Sequence, residues 1–226
     1  MSIDLEARGS VYVLRMRDGE NRMNRKWLDG MHAALDEVQA DADAAALVTT
    51  GEGKFYSNGL DLDWLSHPDT ESMASFVADV ERLLARMLAF PLATVAACNG
   101  HTFAAGAMLA LCHDFRVMRV DRGYFCLPEV DIKIPFTPGM DSLIKGRLPV
   151  PTAHEVMVTG KRYGGAEALA KRIIDEAVAQ DEVLPRAVEL AEQVGGKDRQ
   201  VLGRIKRRMY AATIELLSNS EGTQSV

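Results

Sequence analysis

The spacing of apolar residues changes several times along the chain, and each change marks an element. In IDLEARGSVYVLRM two short alternating runs flank Arg8-Gly9-Ser10, which predicts a β-hairpin. Leu28, Met31, Leu35 and Val38 then recur at helical spacing, with Asn24 placed to cap the helix. AAALVTT and LATVAAC are short continuous apolar runs, as expected of parallel strands buried on both faces. Between them Phe76, Val80, Leu83, Leu84 and Met87 mark the inner face of a helix from about Glu71 to Ala89, which Pro91 ends. NGHTF reads as a turn, AAGAMLALC as a helix of small residues, and DFRVM and GYFCLPEV as strands. TPGMDSLIKGRL opens a helix at Pro138, TAHEVMVTG and GAEALAKR are short helices, and IIDEAV is a last strand. Two helices, at about 182–194 and 198–217, close the pattern before a polar tail, EGTQSV.

Strands alternating with helices predict an α/β fold. The sequence shows no internal repeat. The division expected is a core over 1–180 and a helical region with its tail over 181–226, forming a separate layer suited to subunit contacts.

Composition narrows the function. The chain has 226 residues, 47% hydrophobic, with a net charge of −6. That suits one globular domain with no global attraction to nucleic acid or anionic membrane, so any anionic ligand is held by local positive groups. Cys98, Cys112 and Cys126 lie in apolar surroundings without metal-ligand spacing, which suits a reducing compartment. No signal peptide and no membrane-spanning run is read in the sequence, and a cytoplasmic location is expected.

Two strand-to-helix turns share a design. In GEGKFYSNGLDLDWL, residues 51–65, Gly59 permits a bend closed to other residues. In NGHTFAAGAMLAL, small residues at 104–107 open a helix, whose first N–H groups are free. Each turn can aim one N–H at a shared point, as in an oxyanion hole, or can be an ordinary turn whose glycines allow close packing. A third segment places Glu129 among Leu127, Pro128, Val130, Ile132, Ile134 and Phe136. A buried carboxyl there would have a raised pKa and serve as an acid–base group, whereas an exposed glutamate at a strand end would not.

Taken together, NRMN at 21–24, GKFYSNGLDL at 53–62, NGHTFAAGAMLALCHDFRVM at 99–118 and FCLPEVDI at 125–132 resemble the crotonase (enoyl-CoA hydratase/isomerase) superfamily, over about Val11 to Val178. The pattern is similar to the plant-type enoyl-CoA delta isomerases. The resemblance implies a spiral of ββα units with a C-terminal α-helical oligomerisation region, a homotrimer or dimer of trimers, and an acyl-CoA substrate. Coenzyme A then enters as part of that substrate, with no separate cofactor. It implies that the N–H groups of Leu60 and Ala105 hold the thioester oxygen, beside Gly59 and Gly106. It implies too that Met108 stands where hydratases carry a first glutamate, while Glu129 matches the second. A lone glutamate suits an isomerase that moves a 3-enoyl double bond to the conjugated 2-position. The alternatives are another crotonase-type reaction, hydration or thioester hydrolysis, and an acyl-CoA-binding paralogue without turnover.

The expected contacts to coenzyme A are Arg22, Lys54, Gly59, Leu60, Asp61, Leu62, Ala105 and Gly106, with Arg25 and Lys26 nearby. A solvated role is equally open to the basic side chains. Trp64, Leu65, Phe103, Met108, Ile134 and Phe136 are expected around the acyl chain, or in plain core. The last helix carries Arg199, Arg204, Lys206, Arg207 and Arg208 opposite Val201, Ile205, Met209 and Leu216. That face is either solvated or reaches a neighbouring subunit's coenzyme A phosphates. Ser57, His113 and Asp114 lack the G-x-S-x-G setting of a hydrolytic serine. His101 reads as a turn residue, and His32, His67 and His154 are too scattered for a metal.

Overall fold

The computed structural model describes residues 3–67 and 70–219; the tail at 221–226 lies outside them. The hairpin forms as its alternation predicts. β1 (Ile3–Arg8) and β2 (Val11–Met16) pair antiparallel, and α1 (Arg25–Ala40) follows, with the Asn24 side chain accepting from Trp27 N–H.

The chain then coils. β3 (Ala46–Gly51), β4 (Phe55–Ser57) and the helices α2 (Leu62–Leu65) and α3 (Met73–Leu88) make a first ββα turn. β5 (Ala93–Cys98), β6 (His101–Phe103) and α4 (Ala105–Cys112) make a second. β7 (Phe115–Arg119), β8 (Phe125–Cys126) and α5 (Glu129–Ile132) make a third. Then come α6 (Pro138–Arg147), α7 (Val150–Thr159), α8 (Gly165–Ala170), β9 (Glu176–Val178), α9 (Val183–Val194), α10 (Arg199–Met209) and α11 (Ala211–Ser218). The first strand of each turn joins a six-stranded sheet in the order β1-β2-β3-β5-β7-β9, and the second strands form a three-stranded sheet, β4-β6-β8. Between the named strands, every pairing among the described residues except β1 with β2 is parallel. This is the ββα spiral that the motifs imply. Its repeat lies in topology and not in sequence.

Close backbone stacking lets the turns coil this tightly. A Cβ on Gly100 would lie 2.1 Å from Lys54 O, and one on Gly123 would lie 2.8 Å from the Gly100 carbonyl carbon. α9 covers one face of the large sheet, packing Val183, Ala187, Leu190 and Ala191 on Val13, Val48, Val95 and Val117. The other face meets the main core with α1, α3 and α4. α11 packs on α3 and α6.

Four local readings change. NGHTF contains the strand β6, because His101 to Phe103 pair with both β4 and β8. GYFCLPEV is a strand only at Phe125–Cys126: Pro128 has no N–H to continue a ladder, and Glu129 opens a helical turn instead. The helix expected over 198–217 is two, broken at Tyr210. Lys206 leaves the solvated basic face altogether. It is buried, donating to Leu92 O at 2.7 Å and pairing with Asp114 at 2.6 Å, and its ammonium pKa is lowered by burial. Arg204, Arg207 and Arg208 stay exposed, and so are Val201, Ile205 and Met209.

Gly100→Ala should be severely destabilising, because its methyl group meets backbone and not a movable side chain. We expect a loss of roughly 3 kcal/mol or more, read as a lower urea midpoint at unchanged m.

Candidate active site

The three strands of the small sheet end at equivalent levels of the spiral, and each delivers one part of the site. Leu60 follows β4, Ala105 follows β6 and Glu129 follows β8. All three line one cavity of about 440 Å³.

At the first turn Gly59 has φ +82°. Met23 N–H donates to Gly59 O at 2.7 Å and Asp61 N–H donates to Met23 O at 2.9 Å, so the NRMN segment grips the turn from one side. These bonds turn the Leu60 N–H away from Met23, and among the described residues it donates to no backbone oxygen. At the second turn Ala104 is held at φ +49°, ψ −127°, strained for a residue with a Cβ. Ala105 then begins α4, where the N–H has no partner inside the helix. The two turns touch: a Cβ on Gly59 would lie 2.8 Å from Ala104 Cβ and 3.2 Å from Ala105 N. Gly106 is needed because Ser57 presses on the helix, its Oγ 2.8 Å from where a Cβ would stand.

Glu129 is 5% exposed, and its Oε2 has no hydrogen-bond partner. Burial pushes its pKa up to about 7, against a smaller lowering by its own backbone N–H. Met108, buried on α4, places its thioether in the wall of the same cavity.

Of the other expected residues, Arg22, Leu62 and Phe103 line this cavity, with Ile134. Arg22 is engaged by Glu20 at 2.7 Å and Asp63 at 2.6 Å. Asp61 caps α2 through Trp64 N–H and accepts from Asn24 Nδ2. Gly59 and Gly106 shape the turns from behind. Lys54 lies at a separate surface groove with Arg17, Glu20 and Glu52. Trp64 packs edge-on against Phe76 at 5.0 Å, and Trp64, Leu65 and Phe136 belong to the core's margin and not to the cavity lining. Arg25 is tied to Glu71 and Asp79. Lining residues that sequence reasoning missed include Asn58, Met73, Val77, Thr137 and Met140. For Met73 and Val77 the signal was present: they are four apart on a helix whose register was legible.

Ser57, His113 and Asp114 are committed elsewhere. Ser57 Oγ donates to Asn21 O, the two His113 ring nitrogens bond Leu109 O and Thr49 Oγ1, and Asp114 accepts from Thr94 and Lys206. His101 stacks among Phe55, Phe103 and Tyr124 at 5.0–5.7 Å.

Comparison with known proteins bears on this arrangement. The sequence pattern of the family described as Enoyl-CoA hydratase/isomerase matches residues 6–223. The chain is 32% identical to Enoyl-CoA delta isomerase 3 of Arabidopsis thaliana, over 98% of this chain and 99% of that protein. Its fold superposes at a TM-score of 0.90 on a probable enoyl-CoA hydratase, EchA3, of Mycobacterium tuberculosis, at 28% identity over 98% of this chain and 93% of that one. The human mitochondrial delta3-delta2-enoyl-CoA isomerase has the same fold, with a TM-score of 0.88 at 22% identity over 95% of this chain and 85% of that one.

The raised pKa of Glu129 has a measurable sign. Between about pH 4.5 and 7 the folded chain holds a proton that the unfolded chain has released, so this group's contribution to stability falls as pH rises. Glu129→Gln cannot titrate. It should gain on the parent protein across that window by up to roughly 3 kcal/mol, measured by paired denaturation curves.

Proposed function

We propose that this chain, which belongs to the enoyl-CoA hydratase/isomerase family, is an enoyl-CoA delta isomerase with Glu129 as its one acid–base group. The observation that carries this reading is the pairing, in one cavity, of the buried Glu129 carboxyl, whose Oε2 has no hydrogen-bond partner, with a thioether at Met108. As a carboxylate, Glu129 takes a proton from C2 of a 3-enoyl-CoA. The electron pair moves toward the thioester carbonyl, and the enolate oxygen receives hydrogen bonds from Leu60 and Ala105 N–H. The same carboxyl returns the proton at C4 as the double bond moves to C2–C3, so nothing is consumed. Hydration, the activity in the name of the mycobacterial neighbour, needs a positioned water. Met108 offers it no hydrogen-bonding partner of useful strength.

Coenzyme A enters with the substrate in this scheme, and no further cofactor is invoked. Arg22 at the cavity wall is the basic group best placed for it. The exposed stripe of Val201, Ile205 and Met209 on α10 supports assembly as a trimer or dimer of trimers. Three buried free thiols suit a cytoplasmic location.

In deuterated water, a 3-enoyl-CoA should be converted to its 2-enoyl isomer without gain of water, as read by mass and retention. Glu129→Gln should abolish conversion, and kcat/KM of the parent should rise with pH through about 7. A water adduct as the main product would instead identify a hydratase. Gly59→Ala should lower kcat by about 10²–10³-fold, the cost of one misplaced oxyanion donor.

A further inference from the structure

The cavity-lining residues of α3 lie one helical turn apart, Met73 and then Val77. The next position on that stripe is Glu81, fully buried. An apolar side chain would complete the stripe, and a carboxyl on a dry helix face is costly unless it is hydrogen-bonded. Glu81 Oε1 accepts from the hydroxyl of Thr137, and Thr137 is itself part of the cavity wall. The start of α6 is shaped around this pair. A Cβ on Gly139 would stand 2.8 Å from Glu81 Oε1 and 2.9 Å from Leu217 Cδ2, so the helix carries a glycine where the carboxyl passes.

A threonine hydroxyl has one proton and two lone pairs. The Thr137 proton goes to Glu81, and one lone pair takes the Met140 N–H at 3.1 Å as the cap of α6. One lone pair is left over on a residue whose neighbours in the cavity lining include Met73, Val77, Ile132, Ile134 and Met140. We propose that Thr137, oriented by Glu81, is a specificity-determining hydrogen-bond acceptor for the acyl chain, and that it favours acyl-CoA thioesters carrying a chain hydroxyl over hydrocarbon chains of equal length. A chain hydroxyl donates to the spare lone pair, whereas a methylene leaves the oxygen dry and unmatched. Sites built to bond a hydroxyl discriminate against the analogue lacking it far better than apolar pockets discriminate by size. Glu81 is a positioning residue here: it fixes the direction of the Thr137 proton and so of the remaining lone pair.

The inference rests on the acyl-CoA reading of the cavity, so its test uses binding and not turnover. The full-length protein would be titrated calorimetrically with decanoyl-CoA and with decanoyl-CoAs bearing one hydroxyl at successive carbons of the distal half. These saturated thioesters carry no double bond to shift. One hydroxylated member should bind about tenfold tighter than decanoyl-CoA, the size of one neutral hydrogen bond. In Thr137→Val that ratio should fall to about one, in Thr137→Ser it should return, and in Glu81→Gln it should be reduced. Equal affinity across the series in the parent protein overturns the inference and leaves the isomerase reading standing. A ratio kept in Thr137→Val also overturns it, because the pair would then only clamp α3 to α6. No binding of any thioester overturns the inference together with the acyl-CoA reading beneath it.

Discussion

At successive levels of the spiral the chain rests on its own backbone with no side chain between. Gly123 sits against Gly100 and Gly100 against Lys54, and inside the first turn Gly51 sits against Phe55 and Tyr56. This contact brings β4, β6 and β8 side by side and lets them end at matching heights. The chemistry follows from those heights. A strand end that opens a helix exposes N–H groups, and here two such ends face one space. The third end supplies the carboxyl. Residues widely separated in sequence therefore meet because they close equivalent turns.

The interior treats its charges in two ways. Lys206 is matched by Asp114 and Leu92 O, and Arg116 by Asp175, Ile173 O and His113 O. Such groups repay their desolvation through several bonds and tie α10 and the segment before β9 to the sheet. Glu129 is left with an unpartnered oxygen, and its proton affinity rises accordingly. A buried group that is fully satisfied holds the fold, whereas a buried carboxyl left short favours its protonated form.

Much of this was legible in the sequence. The hairpin, α1, α3, and the buried strands β3 and β5 came from periodicity alone, because one-sided or complete burial imprints directly on the spacing of apolar residues. The turn glycines and Glu129 were open to ordinary readings on local pattern alone, and only their order and spacing together, through the family resemblance, grouped them as one site. The small sheet did not, because its strands are two or three residues long and carry no period. Phe136 and Trp64 show a second limit: an apolar residue beside the site in sequence is as easily turned into the core as into the cavity. Lys206 shows a third. A lysine in a basic run reads as solvated, and only the approach of Asp114, distant in sequence, draws it inside.

The placement of α11 bears on how the protein comes into being. It packs against α3 and α6, two of the helices that line the cavity, yet it ends the described chain at Ser218–Asn219. During synthesis the turns at Leu60 and Ala105 emerge before Glu129, and α11 emerges after all three. Parallel pairings across the spiral are non-local and slow to close. The residues that line the cavity are therefore all present in a growing chain before α11 can brace the helices behind them.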